Sequence, residues 1–344
     1  MRATGAGIKS STTGRRPRPR CGLSARGIEP VRRIATRNYK LSTIRSIVSL
    51  LTSLSLLLLL GAAVIPAGVH LGFRAPRIRE TGTPADLGLD YQEVRIATVR
   101  CRHLFGWLLP APGADRTVVL LHGWGSNAEL MLPLAVPLRH AGLNVLLFDA
   151  RNHGNSDGDS FSSLPRFAED LGSAIAWLRR HHPGRAERIA VLGHSVGAGA
   201  ALFEASRNPD ISAVVSIAAF AHPAEVTERY LRHLHIPGPI TRLVVRYVEW
   251  IIGHRFDCIA PINTCPCIAC PVLLVHGTND QTVPVDDARR IAARCDGAAV
   301  QLLEIEDAQH DSTEPIERHS GDLLRFLDQC WGSMPPPTGP GASR

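Results

Sequence analysis

The chain has 344 residues, 44% of them hydrophobic and 20% charged, which excludes a disordered polymer and leaves room for one large domain or two smaller ones. Its formal net charge of +7 is unevenly placed: residues 1–45 hold 12 Arg or Lys against one acid, Glu29, and the other 299 residues carry 26 basic and 30 acidic side chains. The body is mildly acidic and has no basic stripe interleaved with aromatics, which argues against nucleic acid as a partner.

Residues 1–45 read as a basic, disordered, cytoplasmic leader, with an Arg16-Pro17-Arg18-Pro19-Arg20 run that offers nothing to a core. From Ile47 to Val69 there are 23 residues without a charge. A helix of about 20 apolar residues crosses the hydrocarbon of a bilayer, so residues 46–70 are predicted to be one transmembrane anchor, with a cleaved signal peptide as the alternative. The basic flank places the N-terminus in the cytoplasm and the body on the extracytoplasmic side. Secretion after signal cleavage and mitochondrial import behind an Arg-rich transit segment are the other readings.

Residues 75–90 read as a linker, residues 91–331 as the folded domain and residues 332–344, rich in Pro and Gly, as a disordered tail. Tyr91 to Pro110 suggests an antiparallel pair. A strand–helix rhythm follows, with strands at Thr117–Leu121, Asn144–Phe148, Arg188–Leu192, Ala213–Ala219, Val272–Val275 and Val300–Ile305. Helices are expected at 128–140, 166–181, 196–207, 286–295 and 315–330. Continuously apolar strands alternating with helices predict an α/β fold with a mainly parallel, doubly wound sheet. Residues 221–257 break the rhythm with Ile240, Leu243, Val244, Tyr247, Val248 and Ile251 at helical spacing. They are predicted to form a small helical insertion, either a lid or a plain surface pair.

Gly193-His194-Ser195-Val196-Gly197 fits G-x-S-x-G, the sharp strand-to-helix turn that presents a nucleophile. Its serine needs neighbours almost without side chains, which Gly193 and Gly197 supply. Ser195 is the candidate nucleophile. Asp280 stands just beyond the Val272–Val275 strand in His276-Gly277-Thr278-Asn279-Asp280, and His310 follows the 300–305 strand in Gln309-His310-Asp311. Both positions are carboxyl ends of strands, where sites form in open α/β sheets. The order Ser195, Asp280, His310 gives a nucleophile, a carboxylate to orient the base, and the base. His319, in the terminal helix pattern, reads as a solvated residue. For a developing oxyanion the expected donors are the backbone N–H of Val196, at a helix N-terminus, and of Trp124, in the His122-Gly123-Trp124-Gly125 loop. The Trp124 indole is expected chiefly to pack.

With Leu120-Leu121-His122-Gly123-Trp124-Gly125, Phe148-Asp149-Ala150-Arg151-Asn152-His153-Gly154-Asn155-Ser156, the Gly193–Gly197 motif, His276–Asp280 and Gln309-His310 in place, residues 90 to 330 resemble the α/β-hydrolase superfamily. The likeness is to its serine esterase/lipase and serine aminopeptidase-like branch. It implies an α/β-hydrolase fold and a serine hydrolase that acts on an acyl bond, most naturally a carboxylic ester, with thioester or amide cleavage as alternatives. A non-catalytic binding protein on the same fold is the reading from another class. It implies no cofactor and no metal. Asn152 departs from the glycine usual in that loop.

The expected partners are a small-molecule or lipid-like acyl substrate and, through the N-terminal helix, a membrane; the oligomeric state stays open. Cys265-Pro266-Cys267-Ile268-Ala269-Cys270 offers three thiolates and no spaced fourth ligand for zinc. In an oxidising compartment one or two disulfides are expected near Cys258–Cys270.

Overall fold

The computed structural model describes residues 29–295, 299–311 and 317–332. The leader up to residue 28 and the tail from residue 333 lie outside the described residues. The chain divides at Ala63/Val64 into two units.

The first unit holds most of helix α1 (Glu29–Gly72), whose stretch from Arg37 onward is long and apolar enough to cross a membrane. Residues 29–45 are therefore helix, not the disordered segment their composition suggests. Locally, the hydroxyls of Ser42 and Thr43 donate to the Tyr39 carbonyl and that of Ser46 to the Ser42 carbonyl. Side chains that compete with a helix elsewhere donate here to carbonyls of the preceding turn, inside the helix.

In the second unit eight strands form one sheet: β1 (Gln92–Thr98), β2 (Arg102–Leu109), β3 (Arg116–Leu121), β4 (Asn144–Phe148), β5 (Arg188–His194), β6 (Ile211–Ile217), β7 (Val272–Gly277) and β8 (Val300–Ile305). Their order is β1-β2-β4-β3-β5-β6-β7-β8. The β1–β2 and β2–β4 pairs are antiparallel; all others are parallel. Around the sheet lie α2 (Leu132–His140), α3 (Leu164–His181), α4 (Val196–Ala205), α5 (Pro223–His233), α6 (Gly238–Ile252), α7 (Phe256–Ile259), α8 (Pro261–Thr264), α9 (Val285–Arg294) and α10 (Ser320–Trp331).

The central strands β3 to β7 are mostly apolar because both faces of the sheet are covered there. Val119, Leu121 and Val191 join Phe167, Leu171 and Ala198 of α3 and α4 in one core. Val118, Leu120 and Leu192 point the other way and join Leu134, Leu138 and Phe326 of α2 and α10 in a second. This is the α/β-hydrolase fold.

Residues 75–90 are not a free linker. The Thr81 and Gly82 N–H groups donate to the Glu129 carboxylate at 2.7 and 3.1 Å, Arg77 Nε donates to the Asn152 carbonyl, and Pro84 and Leu89 are buried. Polar and Pro-rich composition hides these contacts, because every partner is distant in sequence.

Candidate active site

Ser195 sits between β5 and α4 with φ 54° and ψ −118°, a conformation that an L-residue holds only under tertiary constraint. The constraint is visible on both sides. A Cβ on Gly193 would run into the Gly197 carbonyl, and one on Gly197 would strike the carbonyls of His122 and Leu121 at the end of β3. The Ser195 N–H donates to the Ile217 carbonyl of β6 at 2.8 Å, which ties the turn to the neighbouring strand.

The three residues singled out from the sequence are brought together. His310 Nε2 lies 2.9 Å from Ser195 Oγ, and His310 Nδ1 lies 2.7 Å from Asp280 Oδ2. With Nδ1–H donating to the carboxylate, Nε2 is left as the acceptor for the serine proton. The other Asp280 oxygen accepts from the Thr282 and Val283 N–H groups, each at 2.8 Å. Burial pushes the Asp280 carboxyl upward, but hydrogen bonds from His276, His310 and the Val283 N–H outweigh it and hold it well below the usual carboxylate range. Asp280 therefore stays ionised at any ordinary pH.

Two histidines brace this relay. His194 Nε2–H donates to the backbone carbonyl of His310 at 2.8 Å, and burial lowers the His194 pKa, which favours the neutral ring. His276 Nε2–H donates to the Val283 carbonyl at 2.8 Å and stands 3.4 Å from Asp280 Oδ2. Neither was singled out as functional in the sequence. His194 occupies the variable position of G-x-S-x-G and His276 opens the run that ends at Asp280, so proximity to the motifs was the only available signal.

Trp124 and Val196 both line the cavity that contains Ser195. Val196 is the first residue of α4, whose leading N–H groups have no partner inside the helix. A Cβ on Gly123 would come within 3.3 Å of the Ser195 Cβ, so the Gly123–Trp124 backbone passes directly over the serine. The loop is fixed from beneath: His122 Nδ1–H donates to the Gly123 carbonyl at 2.7 Å, and His122 Nε2 accepts the Ala150 N–H at 3.0 Å. Burial brings the His122 pKa down to about 3, so the ring remains neutral and can accept. The Trp124 indole stands edge-on to Phe73 and His153, at 6.3 and 6.1 Å between centroids, and also lines the cavity. Asn152 adopts φ 70°, the left-handed region, which Asn tolerates better than most residues; its glycine-like role survives the change.

The cavity holds about 880 Å³, and Met131, Leu164, Phe220, Val226 and Phe256 make its wall largely apolar. Such a lining favours apolar groups. His194, His310 and Asp311 bring possible metal-ligand atoms within 4.8 Å of one another. However, His194 Nε2 and both His310 nitrogens already make the hydrogen bonds above, an arrangement suited to proton transfer.

No disulfide joins Cys258, Cys265, Cys267 or Cys270, contrary to the expectation for that run. Cys258 and Cys267 face solvent, whereas Cys265 is buried, and a hydrogen bond with Cys295 together with burial pushes its thiol pKa up.

Known proteins share this framework. Residues 112–256 match the family described as serine aminopeptidase, S33. A solved structure of the Pyrococcus furiosus esterase Pf2001 superposes with a TM-score of 0.63 at 28% identity, covering 76% of this chain and 98% of that one. Among curated sequences, the uncharacterized protein Rv2307c of Mycobacterium tuberculosis is 30% identical over 205 residues, 59% of this chain and 66% of that protein. The uncharacterized protein YfhR of Salmonella typhi is 28% identical over 207 residues, 56% of this chain. The match to YfhR spans 65% of that protein's length.

Proposed function

Since the chain belongs to the α/β-hydrolase superfamily, we propose that it is a serine hydrolase that cleaves a carboxylic ester through an acyl-enzyme on Ser195. The observation that carries this reading is the continuous relay Ser195 Oγ–His310–Asp280, at 2.9 and 2.7 Å, facing an apolar cavity. Ser195 Oγ attacks the ester carbonyl as His310 Nε2 takes its proton. Asp280 holds the ring and stabilises the imidazolium. The oxyanion that develops meets the N–H groups of Trp124 and Val196, each such donor being worth roughly 10²–10³ in rate. His310 then hands its proton to the leaving alcohol, and the acyl group stays on Ser195. Water, deprotonated by the same histidine, releases the acid and restores the serine.

The uncharged Ile47–Val69 stretch and the basic residues before it support a single-pass anchor, with the N-terminus in the cytoplasm and the hydrolase unit opposite.

The test is covalent labelling of the full chain with a fluorophosphonate. Wild type is expected to take the label on Ser195, with none on Ser195→Ala and little on His310→Ala. An Asp280→Asn variant should fold normally and lose about 10⁴ in kcat. A folded wild type that takes no label would sink the hydrolase reading and leave a binding protein. Matched ester, thioester and amide substrates then rank the bond preference, with the ester expected to be fastest.

A further inference from the structure

Helix α6 has an apolar face that the domain does not use. Ile240, Leu243, Tyr247 and Trp250 succeed one another at spacings that place them on a single stripe. Leu243 and Trp250 are 56% and 76% exposed, Ile240 is exposed as well, and the Tyr247 and Trp250 rings stack with centroids 5.8 Å apart. The inward face of the helix is separate: Thr241 and Val248 are buried and Ile252 lines the Ser195 cavity. Beside the outer stripe, Arg242 and Arg246 are exposed one turn apart. Large apolar side chains rimmed by arginine mark a binding surface, not a solvated one.

The neighbours of this stripe identify what covers it. The Tyr247 ring stands edge-on to His70, 6.4 Å between centroids, and Val69, His70 and Phe73 close a seam with Val248, Ile251 and Ile252. Val69 is the last residue of the uncharged stretch and Arg74 the first charge after it. As a helix that stretch rises about 35 Å, slightly more than the ~30 Å of bilayer hydrocarbon, so its end falls at the boundary between membrane and water. Side chains packed on that end share its depth. Trp and Tyr concentrate in this layer, and arginines beside them pair with headgroup phosphates.

We infer that the outer stripe of α6 seats in the interfacial layer of an anionic bilayer, with Arg242 and Arg246 on lipid phosphates. Phe73 and Ile252 belong both to the seam and to the wall of the cavity, so Ser195 is reached one side-chain layer from that boundary. Resting on the hydrolase reading above, this assigns the substrate class: the acyl ester of a lipid resident in the bilayer, which slides in along Phe73 and Ile252 without crossing water.

The full chain, reconstituted in phosphatidylcholine–phosphatidylglycerol nanodiscs, tests both halves. Brominated lipids quench tryptophan at a depth set by the bromine position, and the difference between wild type and Trp250→Phe isolates Trp250. Strong quenching by bromines near the glycerol end, with little by aqueous iodide, is expected. Free access to iodide with no bromine quenching would overturn the seating. Arg242→Gln with Arg246→Gln should remove the extra quenching that phosphatidylglycerol brings over phosphatidylcholine alone; no such extra quenching in wild type would overturn the anionic preference. Changing Ile240, Leu243 and Trp250 together to Ser touches no cavity residue. That variant should lose about tenfold in turnover of a bilayer phospholipid ester while keeping its rate on p-nitrophenyl acetate. Equal losses on both substrates, or none on either, would overturn delivery from the bilayer. Seating by quenching without turnover of either ester would end the hydrolase reading and leave the surface assignment standing.

Discussion

The elbow and the α5–α6 insertion face each other across one cavity and are built in opposite ways. Every residue of α4 is buried, and the turn before it is boxed in by backbone carbonyls that leave no room for a side chain at Gly193 or Gly197. In α5 and α6, Pro223, Thr241 and Val248 are the buried residues. Chemistry requires atoms held to fractions of an ångström, and Ser195, the proposed nucleophile, stands where packing over-determines the backbone. A cavity wall needs only a suitable shape, and here it is carried by helices whose other faces are largely open.

The strongest way to break the contrast is to put bulk on each side. Gly197→Val drives a β-branched side chain into the end of β3, where the Leu121 carbonyl would lie 2.6 Å from its Cβ. The expected outcome is a loss of about 3 kcal/mol or more, or no folded protein, read by denaturant unfolding. Val226→Trp, in the half-buried wall of α5, should leave the midpoint of unfolding within about 1 kcal/mol of wild type. Its cost should appear in kcat/KM for long acyl chains, about tenfold, with a smaller loss for acetyl esters. An unfolded Val226→Trp variant, or a stable Gly197→Val, would erase the distinction.

The smallest effect concerns the loop that backs Trp124. Asp149 accepts the Ala128 and Asn155 N–H groups, each at 2.8 Å, and burial together with the adjacent Glu80 carboxyl pushes its pKa up to about 8. Glu80 Oε1 is buried without an N–H donor, and its side chain beside Asp149 favours the protonated Asp149 carboxyl. The fold binds that proton more tightly than the unfolded chain does. Stability from this site is thus complete below about pH 4 and is lost as the pH rises through 8. Glu80→Gln should flatten the fall in Tm over that range by about 3 °C. An unchanged slope in a thermal melt series would show that Glu80 does not raise the Asp149 pKa.

Much of this molecule was legible in its amino-acid order, for reasons that differ by region. The central strands were readable because a sheet covered on both faces there needs near-continuous Val, Leu and Ile, and Ser195 because its turn demands glycine at positions 193 and 197. Asp280 and His310 followed from their places after β7 and β8. What escaped was set by distant partners. Nothing local to Thr81 or Gly82 announces Glu129, and nothing in His194 announces the His310 carbonyl. The helical start at Glu29 was masked by a composition that also suits disorder. The outward face of α6 was visible as a stripe, but which of its two apolar sides would be buried depended on where α1 ends.

The end of α1 is also part of the cavity. Helix α1 runs to Gly72, and Phe73, the very next residue, already lines the cavity and offers its carbonyl to the Ser162 N–H at 3.2 Å. The last turn of α1 thus leads straight into the cavity wall. A change of side chain at Phe73 would therefore be felt at once in the seam against α6 and in the wall around Ser195.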